Sequence, residues 1–116
     1  MDYSSTYKLA QDIRDSEEYT TYHELKKSVM SDETTAALIT EYRKLQITLQ
    51  MAAAGGQPAD PEDMQRFSGI STLLFSKQEV SNFLLAEMRM QQAITDIFKI
   101  VTEASDLDMS IPGTEG

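Results

Sequence analysis

The amino-acid sequence predicts an all-α protein, an antiparallel helical bundle or hairpin of about five helices, two of them long. Five glycines, three prolines and 8% aromatic residues in 116 are too few for the tight turns of a β-sandwich or barrel. Apolar residues recur at helical spacing, and residues typical of helix starts and stops separate the repeats. We expect one helical domain over residues 1–104 and an acidic, disordered C-terminal tail over residues 105–116.

The first two helices are predicted to be short. The first covers residues 3–14 and carries three apolar residues at a spacing of three: Tyr7, Ala10 and Ile13. A second helix follows and continues to about Met30. Ser16 is expected to cap it, because Glu17 and Glu18 come next, where the positive end of a helix dipole favours acids.

The third helix is predicted to be long, beginning at Ser31 or Asp32 and ending near Ala54. Ile39 and Ile47 widen its apolar face, as in a helix packed inside a bundle. Its other apolar residues alternate between spacings of four and three, which is a heptad seam: Leu38, Tyr42, Leu45, Leu49 and Ala52.

The stretch MAAAGGQPADPEDMQRF, residues 51–67, is predicted to be a bend between two helices. Gly55 or Gly56 supplies the left-handed residue that ends the third helix, and the next proline prevents its continuation. Asp60 is expected to cap the fourth helix, with Pro61 at its first position. A phosphate-binding glycine loop would need a strand before it and a Lys-Ser/Thr pair after it, and the sequence has neither.

The fourth and fifth helices are predicted to meet at Ser76. The fourth covers residues 61–75. The sequence SKQE matches a capping box, in which the side chains of Ser76 and Glu79 each satisfy a backbone donor of the other. The fifth and longest helix is predicted over residues 77–104. Its length of roughly 42 Å exceeds the width of a compact domain of this size, so we expect it to reach into a partner subunit.

The residue types exclude several kinds of catalytic and metal site. The chain has no cysteine, which excludes a thiolate nucleophile, a disulfide and a Cys-based zinc or iron-sulfur site. His23 is the only histidine, so the paired histidines of metalloproteases and di-iron bundles are absent from a single chain. No motif ties His23 to a nucleophile or a carboxylate. We therefore predict a protein that is not an enzyme and that has no cofactor and no metal site.

The charge distribution argues against anionic partners. The net charge is −9 at pH 7, and after Lys99 the chain carries four acidic residues and no basic one. Such a chain repels a phosphate backbone and an anionic membrane surface, so we expect no direct nucleic-acid binding and no membrane binding. The N-terminus lacks the pattern of a signal peptide, and no apolar stretch reaches the length of a membrane span. The expected location is the cytoplasm.

We expect a second subunit to complete the apolar faces of the two long helices. Their stripes of roughly 35 and 42 Å are longer than the shorter helices can cover. The predicted assembly is a homodimer or a dimer of dimers with a two-fold interface. Glu87 and Gln91 either form a polar contact across this interface or border the core and face water. The candidate interface residues are Leu38, Tyr42, Leu45, Leu49, Phe83, Glu87, Met88, Gln91, Ile94 and Phe98.

The order of these segments resembles the YlbF/YmcA family of small helical bacterial proteins, including its YheA-like branch. The resemblance covers about residues 3–104. It depends on the short first helix, the segment SEEYTTYHELKKSVMSDE, the seam EYRKLQITLQ, the Gly/Pro bend and the long amphipathic last helix.

The resemblance implies a regulatory protein rather than an enzyme. Family members act in competence, sporulation and biofilm development, in a complex with each other and with YaaT that influences the phosphorelay and RNA processing by RNase Y. Iron-sulfur clusters of that complex are held by cysteines, which this chain lacks, so no cluster is expected here. The expected partners are paralogous family members or an RNA-processing or phosphorelay complex. A self-assembling helical scaffold and a small-ligand-binding bundle are the alternative functions.

Overall fold

The computed structural model describes residues 1–107, and over those residues it contains five α-helices and no β-strand. The predicted all-α class with two long helices is confirmed. Of the predicted tail, residues 108–116 lie outside the described residues, and Ser105 is still helical. The helices are α1 (Ser4–Arg14), α2 (Glu17–Met30), α3 (Glu33–Ala54), α4 (Pro61–Phe75) and α5 (Gln78–Ser105).

Side-chain caps start α2 and α4 as the sequence predicts. The Ser16 hydroxyl accepts a hydrogen bond from the backbone N–H of Tyr19 at 3.2 Å. The Asp60 carboxylate accepts one from the backbone N–H of Glu62 at 2.9 Å, and a proline occupies the first turn of α4. Each cap satisfies one of the donors that a helix leaves unpaired at its start.

The second glycine of the pair, Gly56, ends α3. Gly56 has a φ of 69°, in the left-handed region that favours glycine. Its N–H donates to the carbonyl of Ala53 at 3.2 Å, and the N–H of Gln57 donates to the carbonyl of Ala52 at 3.0 Å. This pair of bonds is a Schellman motif, so residues 55–60 form the predicted bend between α3 and α4.

The predicted capping box at Ser76 is wrong. Ser76 keeps helical backbone angles, φ −70° and ψ −18°, and ends α4 instead of starting α5. Its hydroxyl donates to the carbonyl of Leu73 at 2.6 Å, while Glu79 accepts a hydrogen bond from the hydroxyl of Ser28. Both side chains of the supposed box are used elsewhere, and α5 begins at Gln78.

The described chain divides into two compact units, and both α2 and α5 contribute residues to each. Unit 2 comprises His23–Phe83. It holds the antiparallel hairpin of α3 and α4, whose side chains meet across the two helices, and it contains most of the buried residues. Those residues, each less than 9% exposed, are Val29, Thr35, Ile39, Leu45, Leu74, Val80 and Phe83.

Unit 1 comprises Met1–Tyr22 and the chain from Leu84 onward. Among its described residues only Ala86 is buried, although many apolar side chains are half-buried. The more covered line of α5 in this unit has spacings of four, three and four: Ala86, Met90, Ala93 and Ile97. The single helical domain over residues 1–104 and its completion by dimerisation stay predictions.

Candidate interaction surfaces

The candidate interface residues on α3 lie in the hairpin of unit 2. The ring of Tyr42 stacks on that of Phe67, with centroids 5.0 Å apart and planes 18° apart. It also meets the Phe75 ring edge-on, with centroids 6.0 Å apart. Leu45 is only 5% exposed, and Leu38 and Leu49 are half-buried. The heptad seam of α3 therefore packs largely within its own chain.

An ion pair flanks this aromatic cluster. The guanidinium of Arg66 on α4 donates to the carboxylate of Glu41 on α3. Both side chains remain partly exposed, so solvent weakens the attraction. The pair helps to fix the register of the hairpin and presents no free charge to a ligand.

A polar cluster joins the start of α3 to the residue that precedes α5 in unit 2. The hydroxyl of Thr35, which is 3% exposed, donates to Asp32 at 2.6 Å. The ammonium of Lys77 donates to the same hydroxyl oxygen at 3.0 Å and lies 3.7 Å from the Asp32 carboxylate. The hydrogen bond from Thr35, with the nearby charge of Lys77, holds the pKa of Asp32 below its ordinary value.

The polar cluster lines an open cleft of about 280 Å³ in unit 2, with Ser28 and Glu79 at its side. Its cation and carboxylates are already engaged, since Lys77 contacts Thr35 and Asp32 while Glu79 accepts from Ser28. No histidine or cysteine lines this cleft. These contacts join the end of α2, the start of α3 and the start of α5 to one another through hydrogen bonds and an ion pair.

Unit 1 has an open cleft of about 370 Å³ between residues of α2 and α5. Two carboxylates and one guanidinium line this cleft, and the other two lining side chains are small. The lining residues are Glu17, Glu18, Thr21, Ala86 and Arg89. Over residues 1–107 no group of three or more His, Cys, Asp or Glu side chains is placed to hold a metal ion.

The candidate residues of α5 divide between the units. Phe83 belongs to unit 2 and is 0% exposed, so its side chain is already covered. The other five belong to unit 1 and lie along one side of α5. Met88 is 59% exposed, Ile94 is 46% exposed, and Gln91 is exposed as well. Glu87 and Phe98 are half-buried.

Sequence reasoning missed the polar cluster. Asp32 and Lys77 are 45 positions apart, and no motif links the two residues. The only local sign was Asp32, three residues before Thr35, at the predicted start of the third helix. Asp32 indeed occupies the N-cap position of α3, but its carboxylate binds the threonine hydroxyl without a capping bond to the backbone.

Comparison with known proteins gives a family. The family described as "Control of competence regulator ComK, YlbF/YmcA" matches residues 3–104. Among curated proteins, a UPF0342 protein of Halothermothrix orenii is 35% identical over 99 residues, which is 85% of this chain and 84% of that protein. A UPF0342 protein of Staphylococcus aureus is 28% identical over 104 residues, covering 90% of this chain and 91% of that one.

A solved structure supports the fold independently. It is described as a protein of unknown function (DUF964) from Bacillus stearothermophilus, and it matches with a TM-score of 0.68. The match covers 90% of this chain and 91% of that chain at 19% sequence identity, so it speaks to the fold alone. In the described part of the present chain, no helix is long and apolar enough to cross a membrane.

Proposed function

This chain belongs to the YlbF/YmcA family, and from that premise we propose that it is a non-catalytic interaction subunit of a bacterial regulatory assembly. The observation that carries the proposal is the exposure of large apolar side chains in both units. Met51 is 69% exposed, Leu73 is 57% exposed and Met88 is 59% exposed, in a chain with a net charge of −9. Contiguous exposed apolar side chains mark protein–protein contact sites on soluble proteins, and on α5 Ile94 and Val101, which are 46% and 55% exposed, lie seven residues apart on one side of the helix.

The chemistry of the two clefts supports the non-catalytic part of the proposal. An enzyme of acyl or phosphoryl transfer needs an activated nucleophile, a base within hydrogen-bond reach, or a metal. The cleft of unit 2 has its lysine and its carboxylates engaged with one another, and the cleft of unit 1 is lined by two glutamates, a threonine, an alanine and an arginine. Neither lining contains a histidine or a cysteine, and in the cleft of unit 2 the hydroxyls of Ser28 and Thr35 are each held by a carboxylate.

The family description points to the regulatory context, since its name refers to control of the competence regulator ComK. We place the protein in the cytoplasm, in developmental regulation or RNA processing, with paralogous family members or a phosphorelay or RNA-processing complex as partners. The acidic charge supports contact with protein rather than with nucleic acid or a membrane surface.

Affinity purification from the native host tests this function. A tagged copy at its own chromosomal locus should recover at least one other protein at a fixed ratio to itself. Capture through apolar contacts should persist at about 1 M salt, where charges are screened within about 3 Å. Recovery of the chain alone would contradict the regulatory-subunit proposal and favour the self-assembling scaffold.

A further inference from the structure

The exposed side of α3 in unit 2 carries a second heptad line, which we name the outer stripe. Its spacings are three, four, three and four: Ala37, Thr40, Lys44, Ile47 and Met51. At 100° per residue, this line lies about 140° around the helix from the seam that packs in the hairpin. All five side chains are exposed, Ile47 by 56% and Met51 by 69%.

The outer stripe is apolar or small on both sides of a single charge. The hydroxyl of Thr40 donates to the carbonyl of Ala36 within α3 at 3.0 Å, so this side chain needs no hydrogen bond from a partner. From Ala37 to Met51 the stripe is about 21 Å long and about 10 Å wide, which gives an area of roughly 210 Å². A stripe of this shape accommodates one partner helix in a weak, transient contact.

Lys44 stands at the centre of the outer stripe, and its own chain does not neutralise its charge. Within residues 1–107, no hydrogen bond or ion pair engages its ammonium group. Residues 42–59 form the longest stretch of the sequence without an acidic residue, in a chain with a net charge of −9. Glu41, the nearest acidic residue before this stretch, is already engaged by Arg66. A wholly apolar partner would bury the charge of Lys44 without a counter-charge, which is costly.

The position of Lys44 disfavours a second copy of this chain as the occupant. Identical chains pair through one patch about a two-fold axis, which passes through the middle of that patch. Lys44 is the middle residue of the stripe, so an antiparallel pair of stripes brings Lys44 against Lys44, and a parallel pair does the same. Two ammonium groups in one layer of a seam repel each other. The stripe therefore fits a different chain that carries the opposite charge.

Resting on the proposed interaction function, we propose that the outer stripe docks an amphipathic helix of a different protein, which presents a carboxylate to Lys44. Apolar side chains three or four residues to either side of that carboxylate would pack on Ala37, Ile47 and Met51. The charge pair gives the contact its specificity. Glu33 lies one step before Ala37 on the same line, so a basic residue at the matching position of the partner would fix the direction of the two helices.

Binding of two designed peptides to the purified full-length chain tests the charge pairing. Both peptides have leucines at heptad spacing and about 20 residues, enough to form a helix alone. They differ only at the centre of the apolar stripe, which is Glu in one peptide and Lys in the other. Fluorescence anisotropy should show that the natural chain binds the Glu peptide about tenfold more tightly, because one contact is attractive and the other repulsive. In Lys44→Glu the preference should reverse.

Two matched controls separate the stripe from general charge effects. Lys27→Glu makes the same change in net charge at an exposed residue of α2 and should keep the preference for the Glu peptide. Met51→Asp should weaken binding of that peptide about tenfold, whereas Gln46→Asp, at an exposed residue on another side of α3, should change it little. Circular dichroism should show equal helix content in all variants. A natural chain that does not bind the Glu peptide, or binds both peptides equally, overturns the proposal, as does a reversed preference in Lys27→Glu.

Photo-cross-linking in the native host identifies the natural occupant. A photoreactive phenylalanine analogue takes the place of Met51 in the full-length chain, and in a control it takes the place of Gln46. Position 51 should become linked to a segment of another protein in which apolar residues at heptad spacing flank an acidic residue, and position 46 should not. A product with a second copy of this chain, or with a basic residue at the centre of the segment, overturns the proposal. So does the lack of a product in a chain that still recovers a partner by affinity purification.

These measurements separate the docking site from the regulatory function. The peptide preference belongs to the purified chain, so it holds or fails independently of the host. Host capture that persists unchanged in both Lys44→Glu and Met51→Asp would overturn the outer stripe as the docking site and leave the interaction function standing. Recovery of the chain alone from the host, with the peptide preference intact, would contradict the regulatory function and still support the binding of an acidic helix by the stripe.

Discussion

At the scale of single residues, Asp32 links pH to stability. Its pKa lies below the ordinary value of 3.8, first because Thr35 donates a hydrogen bond to the carboxylate, with Lys77 nearby as a further cause. A carboxyl group whose pKa is lower in the folded state than in the unfolded state stabilises the folded state at pH values above the unfolded-state pKa. The contribution is lost as the pH falls through the lower, folded pKa.

We expect Asp32→Asn to lower the free energy of unfolding at about pH 7 and to lose this effect as the pH falls through the lowered pKa of Asp32 in the folded state, because the carboxyl group is then protonated in both states. Urea denaturation of both proteins at several pH values measures the difference. In Thr35→Val, carbon NMR should show the pKa of Asp32 moving up towards 3.8, because its first hydrogen bond is removed. An effect of Asp32→Asn that is equal at every pH would contradict the linkage.

Two neighbouring leucines on α4 offer a matched pair for the core of unit 2. Leu74 is 1% exposed and Leu73 is 57% exposed. Leu74→Ala should cost about 2–5 kcal/mol in the free energy of unfolding, from lost burial and the cavity that remains. Leu73→Ala should change it by no more than about 0.5 kcal/mol. Chemical denaturation measures both, and similar costs would mean that α4 faces the core differently.

At the scale of helices and bends, the two glycines of the hairpin should respond oppositely to alanine. Gly56 has a φ of 69°, where a β-carbon is strained, so Gly56→Ala should cost about 1 kcal/mol. Gly69 lies inside α4, and a β-carbon there would meet nothing within 4 Å. Gly69→Ala should therefore stabilise by about 0.5–1 kcal/mol. Thermal unfolding compares the two, and a stabilising Gly56→Ala would show that the Schellman ending is not needed.

Helix ends were predictable where the signal is local. Gly56 and Asp60 act through bonds to residues a few positions away, so the sequence contains the whole interaction. Ser76 and Glu79 had an equally local signature, but they do not form the predicted capping box. The Glu79 carboxylate instead accepts a hydrogen bond from the hydroxyl of Ser28, which lies 51 positions earlier in the sequence. A capping box competes with tertiary contacts that the local sequence does not show.

Periodicity predicted which sides of α3 are apolar but not which residues are buried. Ile39 and Ile47 both lie off the heptad seam, yet Ile39 is 1% exposed and Ile47 is 56% exposed. Ile47 lies near the bend, where α3 and α4 pair as two helices. Ile39 lies farther from the bend, in the part of unit 2 that also includes the end of α2 and the start of α5. Burial depends on the number of neighbouring elements, which a single helix pattern does not encode.

The same limit applies to the candidate interface. The heptad seam of α3 was equally consistent with a subunit contact and with the hairpin, and the structure uses Tyr42 for the hairpin through its contacts with Phe67 and Phe75. Four candidate residues of α5, from Met88 to Phe98, were also identified by their spacing. Three of them are exposed, namely Met88, Gln91 and Ile94, and Phe98 is half-buried. Spacing alone did not distinguish the α3 residues, which pack within the hairpin, from the α5 residues, which are mostly exposed.

At the scale of the whole molecule, burial is uneven. Seven residues of unit 2 are less than 9% exposed, whereas Ala86 is the one such residue among the described residues of unit 1. Local stability follows the density of buried apolar contacts. Unit 1 should therefore open more readily than unit 2 in a single chain.

Hydrogen exchange at several protein concentrations measures this difference directly. In dilute protein, backbone amides over residues 90–100 of α5 should exchange at least about tenfold faster than those over residues 37–47 of α3, because fewer buried contacts resist opening. Raising the concentration should slow exchange in α5 by mass action, because the homodimer that the sequence predicts would stabilise this helix, and should leave the α3 amides nearly unchanged. The concentration dependence should disappear in Ile94→Asp, which changes a candidate interface residue, and should persist in Ile100→Asp, which changes a residue that is 66% exposed and outside the candidate interface. Equal protection of both helices at every concentration would show that unit 1 is stable without a partner.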